Sequence, residues 1–217
     1  MLNRTTDVLA ATFDKYSVGE ITLTTTFQAS GMMLIDLIYR HLAKRPDVLF
    51  VDTLYHFPET LEHAERVRQH YDLSLRTIRA YPDRQAFERE YGQRLWERDL
   101  DTFYQVLKVR PLEKALAPYQ VWLNARRRDQ APTRESIPTY EHTGDLLKVN
   151  PLAGWTHEQV WGYILQNDIP YNPLHDRGYS SIGEQPLTST PCASDRERAG
   201  RWPGQNRWEC GIHTKIR

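Results

Sequence analysis

Short apolar runs alternate with amphipathic stretches along most of this chain. Residues 20–26 set Ile21 and Leu23 among β-branched threonines, which predicts a strand. Phe27 to Gly31 follows as a tight loop. From Met32 to Leu42, an apolar face of Leu34, Ile35, Leu37 and Ile38 predicts a helix. Val48 to Val51 is a continuous apolar run, suited to a strand covered on both faces. Pro58 opens a second helix that runs to about His70. Leu73 to Ile78 reads as a third strand. Residues 83–116 are amphipathic and helical, with a break expected near Pro111. Tyr119 to Leu123 and Asp145 to Val149 supply two more strands. Thr156, with Gln159 three residues on, caps a helix carrying Val160, Trp161, Tyr163 and Ile164.

Strands alternating with helices in this way predict an α/β fold, a mostly parallel sheet flanked by helices. From Asn172 onward, Pro, Gly and Ser become frequent and periodicity fades. The chain therefore divides into an α/β domain over residues 1–171 and an irregular arm over 172–217.

Composition narrows the field. The 217 residues carry 28 basic and 28 acidic side chains, so no global charge argues for nucleic acid or a membrane surface. No run approaches the roughly 18–20 apolar residues of a membrane helix. The first residues lack the apolar stretch of a signal peptide, which makes the cytosol the expected compartment. Two cysteines, Cys192 and Cys210, cannot build a disulfide framework, and no Cys/His pattern suggests a metal.

Several segments carry candidate chemistry. Cys210 lies near the C-terminus, which is expected to be exposed, beside Gly211 and three residues before His213. That placement suits a reactive nucleophile better than packing. The loop with Thr26, Phe27, Ser30 and Gly31 joins a strand to a helix, where backbone N–H groups can hold a phosphate; a plain glycine turn with a serine cap is the alternative. Asp52 and Thr53 follow the second strand, at the end of a parallel sheet where ligands bind; Asp52 could equally be a simple cap. Arg126, Arg127, Arg128 and Arg134 crowd residues 124–134 against a single Asp. Guanidinium forks suit phosphate and sulfate, although a solvated basic loop has the same composition. The tail from residue 193 has six basic against three acidic side chains, Arg198 and Arg201 among them. Cys192 reads either as a resolving partner for Cys210 or, preferably, as incidental.

Together these segments resemble the phosphoadenylyl-sulfate and adenylyl-sulfate reductases over residues 20–214. Asp52-Thr53 through Phe57-Pro58-Glu59-Thr60 resembles the family's D-T-G-x-x-F-P-E-T, with Leu54 in place of Gly. Lys108-Val109-Arg110-Pro111-Leu112 and Lys148-Val149-Asn150-Pro151-Leu152 resemble its two K-V-x-P-L segments. Residues 124–134 resemble G-x-R-R-x-Q-S-x-x-R, Tyr179 to Gly183 resembles G-Y-x-S-I-G, and Glu209-Cys210-Gly211-Ile212-His213 resembles the terminal E-C-G-L-H.

The resemblance implies an adenine nucleotide α-hydrolase-like fold in which the loop around Phe27 cradles the nucleotide. It implies a catalytic Cys210 that becomes an S-sulfocysteine and is cleared by thioredoxin or glutaredoxin, with His213, Lys108, Arg198 and Arg201 near the sulfate or phosphates and Arg127 and Arg128 in the nucleotide cleft. Relatives suggest a homodimer. One branch of the family holds an iron–sulfur cluster. Here its cysteine positions hold Phe103, Tyr104, Glu184 and Leu187, so no bound cofactor is expected. Cluster-free members favour the 3′-phosphorylated nucleotide, whereas residues 198–202 look more like tails of the cluster-bearing branch. A cluster-free adenylyl-sulfate reductase is the nearest alternative, and an ATP pyrophosphatase-type enzyme a more remote one.

Overall fold

The computed structural model describes residues 1–191 and 196–216, so Cys192 lies outside the described residues. Six strands form one sheet: β1 (Ile21–Thr24), β2 (Asp47–Val51), β3 (Leu75–Ile78), β4 (Val121–Leu123), β5 (Tyr140–Thr143) and β6 (Leu146–Val149). Their order is β3-β2-β1-β4-β6-β5, and every pair is parallel except β5 with β6. Strand β5 was not expected. It is an edge strand whose residues alternate between half-buried and exposed, so Tyr-Glu-His-Thr carries no apolar rhythm.

The helices are α1 (Leu2–Lys15), α2 (Ala29–Asp36), α3 (Pro58–Tyr71), α4 (Arg84–Tyr91), α5 (Leu95–Arg98), α6 (Leu100–Tyr104), α7 (Arg110–Leu116), α8 (His157–Gln166) and α9 (Ile212–Lys215). Period-two alternation in β2 explains how they coat both faces. Val48 and Phe50 join Leu23, Phe27 and most of α2 in the larger core, while Leu49 and Val51 pack with Leu112, Leu116 and Trp122 on the other side. Each such buried side chain stabilises the fold by roughly 1.5–3 kcal/mol.

Three expectations need correction. Helix α1 was missed because its buried face, Thr5, Leu9, Thr12 and Phe13, is half threonine; the Trp155 indole donates to Thr5 Oγ1 at 2.8 Å. Ser30 and Gly31 are not loop residues but lie in the first turn of α2, which starts before Met32. Pro111 breaks nothing. A π turn over Gln105–Val109 links α6 to α7, and Pro111 sits directly after it, at the second residue of α7, in a helix that runs on without a break. The real interruptions come earlier, at Gly92 and at Asp99. The Thr156 capping box is present as expected.

The described residues beyond 171 are mostly irregular but packed. Ile182, Leu187, Trp202, Cys210 and Ile216 are all buried. Among the described residues no helix is long and apolar enough to cross a membrane.

Candidate active site

The sheet's strand order reverses at β1: the chain adds β2 and β3 on one side of it and then returns to add β4 on the other, all parallel. Such a switch point opens a crevice beyond the carboxyl ends of the strands. Thr24 at the end of β1, Thr25 and Thr26 after it, Ser30 and Gly31 at the start of α2, and Asn124 to Arg126 after β4 line it. The arm closes it from above with Ser180 to Gly183, Arg198, Arg201, Cys210, Ile212 and His213. Gln28 ties the arm to the loop, its carboxamide oxygen accepting from the Ile182 backbone at 2.7 Å. The cavity measures about 140 Å³ and is partly open to solvent.

Cys210 is not exposed, contrary to expectation: 8% of its surface reaches solvent. It packs beside Tyr104, Leu107 and Trp202. Gly211 follows at φ 101°, a left-handed turn that a side chain would resist, and so swings the chain into α9. His213 then stacks on Trp122 with ring centroids 5.0 Å apart. Lys148 Nζ lies 5.1 Å from the Trp122 ring centre and donates to the His213 carbonyl at 3.2 Å. Burial, followed by the charges of Arg126, Arg134, Lys148 and Arg198, pushes His213 well below the ordinary imidazole range. His213 is therefore neutral near pH 7. Its Nδ1 has no hydrogen-bond partner among the described residues.

The cations around Cys210 are held by buried acids. Glu184, whose side chain is 0% exposed, accepts from Lys108 Nζ at 2.8 Å, from Arg201 at 3.0 Å and from the Tyr104 hydroxyl at 2.9 Å. Burial opposes its ionisation, but Lys108, Arg201 and His56 outweigh burial and hold the carboxyl well below its usual range. Trp202 Nε1 donates to the same Tyr104 oxygen at 2.7 Å. A methyl group at Gly183 would overlap the Arg201 guanidinium, so glycine is what lets that side chain pass. Arg134 forks onto Glu209 at 2.6 and 2.7 Å. Arg198 donates to the Trp208 carbonyl at 3.0 Å. Burial, with Arg134 nearby, lowers its pKa to about 10. Arg126 donates to Asn124 at 3.1 Å and Asn150 at 3.2 Å and pairs with Glu141. Burial and Arg134 bring it, too, down to about 10.

A second group of donors lies at the start of α2. Arg127, nearly fully buried, donates to Ser30 Oγ and to Glu197. His157 Nδ1 meets the same Glu197 at 3.0 Å and Gln130 Nε2 reaches it at 3.2 Å.

Of the expected site residues, Thr26, Ser30, Gly31, Lys108, Arg126, Arg134, Arg198, Arg201, Cys210 and His213 meet at the cavity. Five do not line it. Arg127 is buried among Ser30, Asp129 and Glu197, to all of which it donates. Asp52 accepts from the Leu54 backbone and from Arg79, shaping the loop after β2. Thr53 is buried, without a partner for its hydroxyl among the described residues. Phe27 packs in the core against Phe50 at 5.5 Å. Arg128 is exposed and donates to the Ile137 carbonyl at 2.9 Å. Sequence reading missed the acids Glu184, Glu197 and Glu209 as site members. Counting the tail as net basic hid that Glu197 and Glu209 are each held by an arginine.

The description of the matching family model is "Phosphoadenosine phosphosulfate reductase domain", and it covers residues 20–190. A phosphoadenosine 5'-phosphosulfate reductase of Gloeobacter violaceus is 40% identical over 90% of this chain and 83% of its own. An adenosine 5'-phosphosulfate reductase of Halalkalibacterium halodurans is 43% identical over 85% of this chain and 81% of its own. A crystal structure of the phosphoadenylyl-sulfate reductase from Candida auris, a phosphate complex, superposes with a TM-score of 0.76 at 31% identity, covering 86% of this chain and 90% of the other. FMN adenylyltransferase of Candida glabrata shares the fold, at TM-score 0.64 and 16% identity.

Proposed function

Because the chain belongs to the phosphoadenosine phosphosulfate reductase family, we propose that it reduces 3′-phosphoadenylyl sulfate to sulfite and adenosine 3′,5′-bisphosphate, with thioredoxin or glutaredoxin as donor. One observation carries the reading: Cys210 is packed into the wall of a switch-point cavity that Lys108, Arg134, Arg198, Arg201 and His213 also line.

The chemistry follows from that placement. The Cys210 thiolate attacks the sulfur of the sulfate group, the sulfur–oxygen bond to the phosphate breaks, and an S-sulfocysteine forms. Arginine and lysine charges stabilise the departing phosphate. The neutral imidazole of His213 is in a state to accept the thiol proton. A donor thiolate then attacks Cys210 Sγ and expels sulfite. The donor's second thiol resolves the mixed disulfide, so two electrons pass from dithiol to sulfur. The arm over residues 172–217 acts as the catalytic unit and moves so that its thiol can meet nucleotide and donor in turn. A thiol kept reduced for this purpose suits the cytoplasm.

The residues present do not fit an iron–sulfur cluster. The chain has two cysteines, and Phe103, Tyr104, Glu184 and Leu187 fill one another's space in an aromatic and ion-paired core. A second reading, reduction of adenylyl sulfate, is favoured by the relative at 43% identity that bears that name.

The test is sulfite release with each nucleotide and reduced thioredoxin, followed by mass spectrometry of protein incubated without thioredoxin. The reading expects a sulfonate on the Cys210 peptide and no turnover by Cys210→Ser. Turnover by the serine variant, or the added mass on Cys192, would overturn it.

A further inference from the structure

Lys108 and Arg201 line the cavity together with Cys210, and they reach it from different parts of the chain. Lys108 lies on the π turn between α6 and α7, Arg201 on the arm. One buried carboxylate behind them joins the two. Oε1 of Glu184 accepts from Lys108 Nζ, and Oε2 accepts from Arg201 Nη2 and the Tyr104 hydroxyl. Glu184 itself does not line the cavity. Its backbone is pinned to the loop after β2: His56 pairs with it in an isolated antiparallel bridge, and the Gln185 N–H donates to the Tyr55 carbonyl at 2.7 Å. The carboxylate thus stands on a fixed support, and each cation turns one side to it and another to the cavity. Arg201 Nε is buried with no hydrogen-bond partner among the described residues. An ammonium has three donors, of which Glu184 takes one from Lys108.

We propose that Glu184 is a positioning residue: it aims Lys108 and Arg201 at the cavity and sets the net charge that Cys210 meets there. The role rests on the reductase reading of the same cavity. The cations around Cys210 are Arg198 and Arg201 from the arm, Lys108 from the π turn, Arg126 and Arg134 from the segment after β4, and Lys148 from β6. Cys210 and its neighbours Arg198, Arg201 and Tyr104 act on one another through their charges. Burial keeps Tyr104, His56 and His213 neutral near pH 7. Glu141 answers Arg126, Glu209 answers Arg134, and Glu184 answers both Lys108 and Arg201. Without the Glu184 charge, two fixed cations stand uncompensated beside the sulfur, and a thiolate there is favoured. Orientation of the cations and attenuation of their field come from one carboxylate.

The experiment follows alkylation of Cys210 by iodoacetamide from about pH 5 to about pH 10, the range in which protein thiols ionise. The Cys210 peptide is read by mass spectrometry in wild type, Glu184→Gln, Glu184→Asp, Lys108→Met and Glu184→Gln/Lys108→Met. No nucleotide or turnover is involved, so failure here leaves the reductase reading standing, and failure of that reading leaves the alkylation profile readable. Glu184→Gln is expected to lower the pH midpoint by roughly one unit, the effect of one unbalanced charge about 10 Å away at an effective dielectric near 20. Lys108→Met raises the midpoint by about as much. The double variant, which removes both halves of a buried pair and is the better tolerated for it, returns close to wild type. Glu184→Asp keeps the charge and with it the wild-type midpoint. A merely structural role would loosen the arm and speed alkylation at every pH alike. An unmoved midpoint in Glu184→Gln, an upward shift, or an aspartate variant that follows the glutamine one overturns the inference. If Glu184→Gln does not fold, the other two decide: a midpoint that fails to rise in Lys108→Met, or that stays raised in the double variant, overturns it as well.

Discussion

Replacing Glu184 with glutamine keeps the side chain's shape and removes one buried charge. Lys108 and Arg201, whose side chains are 6% and 5% exposed, then face a neutral amide. Taking one partner from a buried ion pair costs about 3–5 kcal/mol, because the other charge stays desolvated. Glutamine retains an acceptor oxygen, so the low end, about 3 kcal/mol, applies. For a chain of this length about 2–4 °C of Tm accompanies each kcal/mol, giving a fall of about 6–12 °C. Urea unfolding at pH 7 measures the free energy directly, and thermal denaturation checks it. Glu65→Gln is the control, since its pair with Arg68 lies in solvent and its loss should leave the midpoint unmoved. The pH dependence supplies a second arm. Glu184 has a folded pKa below its ordinary 4.5, so its contribution is complete above about pH 4.5 and fades as pH falls through the depressed value. The gap between wild type and Glu184→Gln should therefore stay level from pH 5 to 8 and shrink below 4.5. A gap under about 1 kcal/mol at pH 7, less than a single charged hydrogen bond, or a gap that widens in acid, would refute the buried-anchor argument.

Two other outcomes are open to direct measurement. Burial and Arg126 depress Lys148 to about 8 from its ordinary 10.5; the charged form is thus penalised below pH 8 and relieved as pH rises toward 10.5, so wild-type stability should gain over that window and Lys148→Met should flatten the gain. Arg134→Gln frees Glu209 and loosens the segment that carries Cys210; at about 1.4 kcal/mol per factor of ten, alkylation of Cys210 by iodoacetamide should quicken at least about tenfold, and an unchanged rate would show that Arg134 does not hold the tail.

Much of the sheet was legible because each central strand carries a local signature. Val48 to Val51 is apolar on both faces, and both faces are covered. Strand β5 and helix α1 were not legible for the opposite reason. Their contacts are made in part by Tyr140 to Thr143 at an edge and by Thr5, which bonds to both Trp155 and Pro151, so no clear apolar rhythm marks them. The site divides in the same way. The arginines announced an anion pocket by their density, and the terminal motif marked Cys210 and His213. Which acid answers which cation did not show. Glu184 lies 76 residues from Lys108, and Glu209 lies 75 from Arg134; only folding brings such pairs together. Asp52 and Arg128 sit beside motif residues in sequence, yet the backbone turns them toward Arg79 and Ile137 instead.

Gln130 offers a single carboxamide oxygen to two claimants, the Arg127 backbone at 3.0 Å and Arg134 Nη1 at 2.5 Å, while its nitrogen reaches Glu197. An amide plane is rigid, so its oxygen and nitrogen turn together. A rotation that broke the contact with Glu197 would also withdraw the oxygen from Arg134, the residue gripping the segment ahead of Cys210. One planar group thus ties the anchoring of Glu197 to that of Glu209.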